Sequence, residues 1–258
     1  MNISVVIITR NEGHVISNTL QSLQPLITDV VIVDSGSTDN TVQLCRQFNA
    51  TVIETSWAGY GINKNKGIAA AKHDWILSLD ADESIDDELK LSLQQLSLQD
   101  ENEVFNIRFK NFFCNKWIRF GEWGFDKHIR LFNRKNVQWN NAAVHENLVF
   151  PAGVKITMLK GNILHHTVHN RQEYKDKMAG YARMNAKKYL ESGKKPAFFK
   201  QYLSPVFAFV QHYIFRLGFL DGKEGFIIAR TTAWYTFMKY HYLNDLYKNM
   251  NKAARSTG

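Results

Sequence analysis

The sequence predicts an α/β protein with a largely parallel central sheet and a helical C-terminal appendage. Three observations carry this expectation. In the N-terminal part, short unbroken apolar runs rich in β-branched residues recur; each ends in a polar, turn-forming cluster; and apolar residues at helical spacing follow. Strands buried on both faces of a parallel sheet read as continuous apolar runs rather than as alternation.

Residues 3–9, ISVVIIT, form the first such strand. Asn11 and Gly13 then break the run, and Val15, Ile16, Leu20 and Leu23 return at helical spacing. Residues 30–34 give the second strand, 35–41 a polar turn, and Val42, Leu44, Cys45 and Phe48 the apolar stripe of the next helix. Two more strands are expected at 51–54 and 75–79, with a basic helix start between them in GYGINKNKG. Beyond about residue 100 the rhythm changes to strand-like stretches at 104–109, 128–132 and 154–164, and the glycine-bearing aromatic segment 112–125 reads as a loop. From Asn170 the pattern is helical, with breaks at 194–196 and 218–222. The expected organisation is a catalytic domain over 1–169 and a helical region over 170–258 that serves membrane docking and the acceptor side.

The 258 residues suffice for one large domain, and an aromatic content of 13% with 45% hydrophobic residues excludes a disordered or fibrous chain. Cys45 and Cys114 are the two cysteines, which excludes a disulfide framework and a cysteine-rich zinc site and fits a reducing compartment. A net charge of +8 favours an anionic partner. The basic residues form no known nucleic-acid module, so nucleic acid is not the expected one. The N-terminal apolar run is too short for a secretory signal, and no segment offers the ~20 uninterrupted apolar residues of a bilayer span. Residues 203–220 come closest but contain Pro205, Gln211, His212 and Arg216.

Ligands of open α/β sheets gather at the carboxyl ends of the strands, and three clusters fall there. Thr9, Arg10, Asn11 and Glu12 follow the first strand, where side chains and free amides can meet an anion or simply cap a helix. No G-x-G-x-x-G is present, which argues against a dinucleotide-binding enzyme. Asp34 and its small hydroxyl neighbours follow the second strand and can accept from a base or ribose, or cap the next helix. The most informative cluster is Asp80-Ala81-Asp82-Glu83 after the apolar run WILSL: acids separated by one residue can converge on a hard divalent cation completed by phosphate oxygens and water. Glu83 can equally begin an acidic helix turn.

In order along nearly the whole chain, VVIITRNE, VIVDSGSTDNT, GYGINKNKGI, WILSLDADE, RLFNR, VHENL, an LHH segment with Tyr174 downstream, and RLGFLDG resemble the family 2 glycosyltransferases of GT-A fold. Within that family the chain is similar to bacterial lipopolysaccharide-core β-glucosyltransferases. The resemblance implies a nucleoside-diphosphate sugar donor, a divalent cation (Mg2+ or Mn2+) and inversion at the anomeric carbon. Carried over by position, Thr9, Asn11, Glu12 and Asp34 line the nucleoside, Lys64 faces the phosphates, and Asp80 and Asp82 form the D-x-D. His165 matches a histidine in relatives and joins Asp82 as a metal ligand. Two departures stand out: Ser35 replaces a second consecutive acid, weakening any uridine preference, and no Glu-Asp pair is found downstream.

Glu146 in Val144-His145-Glu146-Asn147 is therefore the candidate general base, with Asp126 as a lesser alternative. A carboxylate is too weak a base to deprotonate an alcohol in advance, so proton transfer would accompany attack on an oxocarbenium-like centre. Arg130 can bind donor phosphate or acceptor, or form a surface ion pair; His145 is a further candidate site residue. The resemblance implies transfer of a hexose, glucose from UDP-glucose, to a lipid-linked lipopolysaccharide-core acceptor. The competing readings are a sugar-nucleotide nucleotidyltransferase and a non-catalytic, membrane-docked carbohydrate-binding protein. Apolar residues at helical spacing over 206–217, with Lys187, Lys188, Lys194, Lys195 and Lys200 nearby, suggest either a core-facing helix or one lying on an anionic membrane, at the inner face of the bacterial cytoplasmic membrane.

Overall fold

The structure is a computed structural model and describes residues 2–141, 146–168 and 170–256. Its first compact unit comprises Met1–Lys110 with Lys127–His165, and its second comprises Asn111–Asp126 with His166–Gly258.

The first unit begins as the sequence predicts: β1 (Ile3–Thr9), α1 (Ile16–Leu23), β2 (Asp29–Asp34), α2 (Thr41–Gln47), β3 (Thr51–Glu54), α3 (Tyr60–Ala70) and β4 (Trp75–Asp80). Next along the chain come β5 (Glu83–Ile85), α4 (Asp87–Gln94), β6 (Glu103–Phe113), the two-residue β7 (Lys116–Trp117), which belongs to the second unit, β8 (Lys127–Asn133), β9 (Gln138–Trp139), β10 (Leu148–Val149) and β11 (Lys155–Val168). The main sheet runs β3-β2-β1-β4-β8-β6-β11-β5, and β9 pairs separately with β10.

The sheet is parallel through β3, β2, β1 and β4, where helices supply the crossovers. It is antiparallel where β8 joins β4 and β6 joins β8. The expectation of a largely parallel sheet thus describes the half built from the strand-helix repeats; the later strands lack those crossover helices and return by reversal. The loop expected over 112–125 also contains the end of β6 and β7, because Phe112 and Phe113 pair with Trp117 and Lys116.

Alternation along the buried strands feeds two cores. Val5, Ile7, Ile32, Leu77 and Leu79 pack on one face with Ile16 and Leu20 of α1 and with Leu89 and Leu93 of α4. Val6, Val31 and Ile76 face the other way, toward Ile68 of α3 and Ala71 just after it. This is the period of two expected of extended backbone. Gly67 lets α3 approach the sheet, since a Cβ there would lie 2.5 Å from Val6 Cγ1.

The second unit holds α5 (Arg171–Glu191), α6 (Phe198–Val210), a π-helical stretch Gln211–Phe215, a 3-10 turn Gly218–Asp221 and α7 (Gly222–Ser256). The breaks expected near 194–196 and 218–222 both occur. Asp221 explains why Asn111–Asp126 belongs to this unit rather than obeying the expected division at residue 169. Its buried carboxylate accepts from the backbone N–H of Arg119 and, at 2.8 Å, of Phe120, while its carbonyl accepts from Lys116 Nζ. Tyr174 lies in this unit's core, edge-on to Phe113 and Trp123.

Candidate active site

Parallel register brings the ends of three strands together. Thr9 pairs with Asp34, and Ile8 pairs with Asp80. The carboxylate of Asp34 is buried and accepts from Thr9 Oγ1 (3.0 Å), the Gly36 and Ser37 N–H groups (3.0 and 2.8 Å) and Ser37 Oγ. These bonds fasten the turn after β2. Asn11, at φ 58°, joins the turns after β1 and β2: its N–H donates to Ser37 Oγ and its Oδ1 accepts from Thr38 N–H, both at 2.8 Å. The Glu12 N–H donates to Thr41 Oγ1 at 2.8 Å. The helix-capping alternative does not hold for these residues, since α1 and α2 begin after Val15 and Asn40 with no side-chain cap; their bonds instead tie the two turns together.

Thr9, Glu12, Asp80 and Asp82 line one cleft of about 350 Å³ with Trp57 and Tyr60, whose rings meet edge to face at 4.7 Å. A second cleft, of about 540 Å³, is lined by Lys64, Asp80, Asn106, Arg130, Trp139 and Glu146 among others. Asp80 belongs to both.

Charges are concentrated around that shared residue. Lys64 Nζ, buried on α3, lies 2.9 Å from Glu146 Oε1, 3.2 Å from Asp80 Oδ1 and 4.5 Å from the centre of the Trp139 ring. Arg130 Nη2 lies 3.3 Å from Asp80 Oδ2 and 2.5 Å from Glu83 Oε1. Arg130 is thus neither a surface ion pair nor an open cation: it is buried between two carboxylates and over the Phe109 ring. Glu83 does not begin a helix turn. It is buried in β5 and accepts the Asp80 N–H at 2.9 Å, closing the turn that contains Ala81 and Asp82.

Burial alone would raise the Asp80 pKa, but Lys64, Arg130 and His165 hold it well below the usual carboxylate range. Burial dominates at Glu83, and with Asp80 beside it the carboxyl is pushed up to about 7 against the pull of Arg130. At His165 burial opposes charge, but the bond to Asp82 and the nearby acids raise the imidazole above its ordinary value.

Asp82 Oδ2 and His165 Nε2 are 3.3 Å apart and both partly exposed. That separation suits two adjacent ligands of an octahedral cation with bonds of about 2.1 Å. Among the described residues no three His, Cys, Asp or Glu side chains form a metal cage. A carboxylate-imidazole pair fits a cation whose remaining positions are taken by phosphate and water, as in substrate-bridged sites.

Two α3 residues set the position of Glu146. Asn65 Nδ2 donates to the Trp139 carbonyl (2.8 Å), and Trp139 N–H donates to Asn65 Oδ1 (3.1 Å). A Cβ on Gly61 would lie 1.8 Å from the Asn140 carbonyl oxygen and 3.5 Å from Glu146 Cβ, so only glycine permits this approach. Asn140 and Asn147 then close the neck of the loop, with Asn140 N–H donating to the Asn147 carbonyl at 2.9 Å. His145 lies outside the described residues. Asp126 belongs to the second unit and accepts from Asn111 Nδ2 at 3.3 Å.

Sequence reading did not single out Trp57, Tyr60, Asn65, Asn106 or Trp139. Tyr60 and Asn65 sit inside the GYGINKNKGI motif and were within reach; Trp139 and Asn106 reach the cleft only through sheet topology.

A parallel half-sheet with an acidic turn at its carboxyl edge and a carboxylate across an adjoining cleft forms the candidate site of a GT-A-like fold. The chain belongs to glycosyl transferase family 2, whose family model matches residues 4–156. This sets aside the nucleotidyltransferase reading. It is 29% identical to an uncharacterized glycosyltransferase of Rickettsia felis, over 98% of this chain and 94% of that one. It is also 29% identical to the lipopolysaccharide core biosynthesis glycosyltransferase LpsC of Rhizobium meliloti, over 92% and 89%. Among solved structures, residues 1–349 of Staphylococcus aureus TarS in complex with UDP-GlcNAc match at 17% identity with a TM-score of 0.46, over 96% of this chain and 92% of that one. Glucosyl-3-phosphoglycerate synthase of Mycobacterium tuberculosis, in complex with Mn2+, UDP and glucosyl-3-phosphoglycerate, matches at 25% identity with a TM-score of 0.33, over 43% and 44%.

Proposed function

We propose that this glycosyltransferase inverts the anomeric centre as it transfers a hexose, glucose from UDP-glucose, onto a lipid-linked lipopolysaccharide-core saccharide at the inner face of the cytoplasmic membrane. The observation that carries the transfer reading is the pair of clefts sharing Asp80, one with Thr9, Glu12 and Asp82, the other with Glu146. Such an arrangement suits donor and acceptor meeting at one carboxylate. The acceptor class rests on the similarity to LpsC.

In this reading the first cleft holds the nucleoside, with the Trp57-Tyr60 edge beside the base and the turn fastened by Asp34 and Asn11 beneath the ribose. A divalent cation, Mg2+ or Mn2+, held by Asp82 and His165 would supply charge neutralisation to the departing diphosphate. Lys64 and Arg130 hold the Asp80 carboxylate in place, so its charge is preorganised rather than reoriented during reaction. Glu146 accepts the acceptor hydroxyl proton as the new bond to the anomeric carbon forms and the bond to the diphosphate breaks. Asn106, whose buried Oδ1 has no hydrogen-bond partner, lines the second cleft.

The test is a screen of UDP- and other nucleotide sugars with purified chain, Mg2+ or Mn2+, and a truncated lipopolysaccharide core, with the linkage read by NMR. Transfer from UDP-glucose with a new β linkage supports the proposal. A retained α linkage, or transfer only from another donor, overturns the corresponding part.

A further inference from the structure

We infer that the second unit carries a lipid-docking face, built by α6 and the segment after it, which lies in the interfacial layer of an anionic bilayer. The inference deepens the membrane-located reading above and rests on it for its biological setting.

The face is defined by what remains uncovered. Phe198, Phe199, Tyr202, Leu203, Val206 and Phe207 recur at helical spacing on α6 and are between 48% and 72% exposed. At 100° per residue they occupy about 180° of the helix circumference. Ile214, Phe215, Leu217, Phe219 and Leu220 extend the exposed apolar surface along the chain. Along one edge of that arc α6 packs against α7, with the Phe209 and Phe226 rings 5.9 Å apart and the half-exposed Tyr202 ring 5.8 Å from that of Phe237. The 206–217 segment suggested by sequence is therefore a packing element on one side and an uncovered one on the other, and the uncovered part begins earlier, at Phe198.

Contiguous apolar exposure on this scale marks an interaction surface rather than ordinary scatter. Charge identifies the occupant. From Ser192 through Leu220 there is no Asp or Glu, while Lys194, Lys195, Lys200 and Arg216 are all present and exposed. Pairing two copies through this face would oppose like charges, which is costly; an anionic headgroup layer matches both the cations and the apolar, aromatic-rich surface. Among the described residues no single helix is long and apolar enough to cross a membrane; Phe198–Phe215 and Gly218–Met250, bent by 72°, reach that length and composition only as a pair.

The test is co-sedimentation of the full chain with vesicles of phosphatidylglycerol and phosphatidylethanolamine, and with vesicles of phosphatidylcholine alone. Neither vesicle contains saccharide acceptor or donor, so failure here leaves the transfer reading untouched. We expect binding to the anionic vesicles that weakens with salt. The set Phe198→Ser, Phe199→Ser, Leu203→Ser and Phe207→Ser, all at exposed positions, should lower binding by about tenfold or more, as should Lys195→Gln with Lys200→Gln. Lys194 is left in place because its ammonium lies 3.9 Å from the centre of the Tyr189 ring. Thermal unfolding of each variant confirms that the fold persists. No binding to anionic vesicles, equal binding to both vesicle types, wild-type binding by the serine variant, or a dimer dissolved by the serine substitutions without vesicle binding would each overturn the inference.

Discussion

Lys64 Nζ lies 2.9 Å from Glu146 Oε1 although 82 residues separate them in the chain. The same ammonium is 3.2 Å from Asp80 Oδ1, so one buried cation links the acid shared by the two clefts to the carboxylate across the second. A lysine this buried is held by its partners, since an unpaired charge in that environment would be strongly disfavoured. Its two ion pairs fix the spacing between Asp80 and Glu146.

Replacing Glu146 by Gln should leave donor affinity near wild type and lower turnover by about 10²–10⁴-fold. The amide oxygen can still accept from Lys64, so the local geometry is retained while the proton acceptor is lost. Donor binding by calorimetry and turnover by product formation separate the two effects. Turnover within a few-fold of wild type would move the base elsewhere, with Asp126 the next candidate.

Asp82→Asn should abolish most transfer, by about 10²-fold or more at saturating donor and cation, with an unchanged thermal midpoint. Asp82 is partly exposed and its carboxylate faces His165, so the substitution empties no core volume. Undiminished turnover would refute its assignment.

Gly61→Ala tests how α3 places Glu146. The added methyl would lie 1.8 Å from the Asn140 carbonyl oxygen, a backbone atom that cannot step aside as a flexible side chain would. We expect a loss of about 1–3 kcal/mol in stability and a fall in kcat with donor Kd nearly unchanged. Wild-type kcat would show that the Asn140 segment can shift without disturbing the base.

The ion pair between Arg130 and Glu83 should behave as a coupled unit. Arg130→Met leaves the buried Glu83 without its cation, while Asp80 keeps Lys64, and should cost about 3–5 kcal/mol. Adding Glu83→Gln should recover part of that loss, read by urea unfolding as a double-mutant cycle. Strict additivity would mean the pair contributes no coupling.

Asp86 offers a pH test away from the reacting centre. Its carboxylate caps α4 through Leu89 N–H (3.0 Å) and accepts from Asn162 N–H and Nδ2 (2.9 and 2.8 Å). Burial opposes its charge, yet these bonds and Lys110 lower its pKa from the ordinary aspartate value. A lowered folded-state pKa gives stability that is present above the unfolded value and lost as pH falls through the folded one. Asp86→Asn should therefore cost about 1–2 kcal/mol near neutral pH, and the gap to wild type should close as the solution is acidified below about pH 4. A gap independent of pH would mean the carboxylate's charge is not what stabilises the cap.

Local sequence was enough to specify the strand-helix repeat and the acidic turn. Apolar runs such as ISVVIIT and WILSL become buried strands when turn residues bound them, and a parallel sheet necessarily carries the turns after β1, β2 and β4 to one edge. Partnership, by contrast, arose only from tertiary packing. Asp34 and Lys64 were legible as candidates, but nothing local told that Asp34 fastens its own turn, that Lys64 would be enclosed by Asp80 and Glu146, or that Glu83 would leave the helix pattern to meet Arg130. Antiparallel pairing beyond β4, the Gly61-Asn140 approach and the uncovered face of α6 are likewise set by contacts between distant segments. Such contacts depend on which surfaces remain to be covered once the local elements have packed, a property that no window of sequence contains.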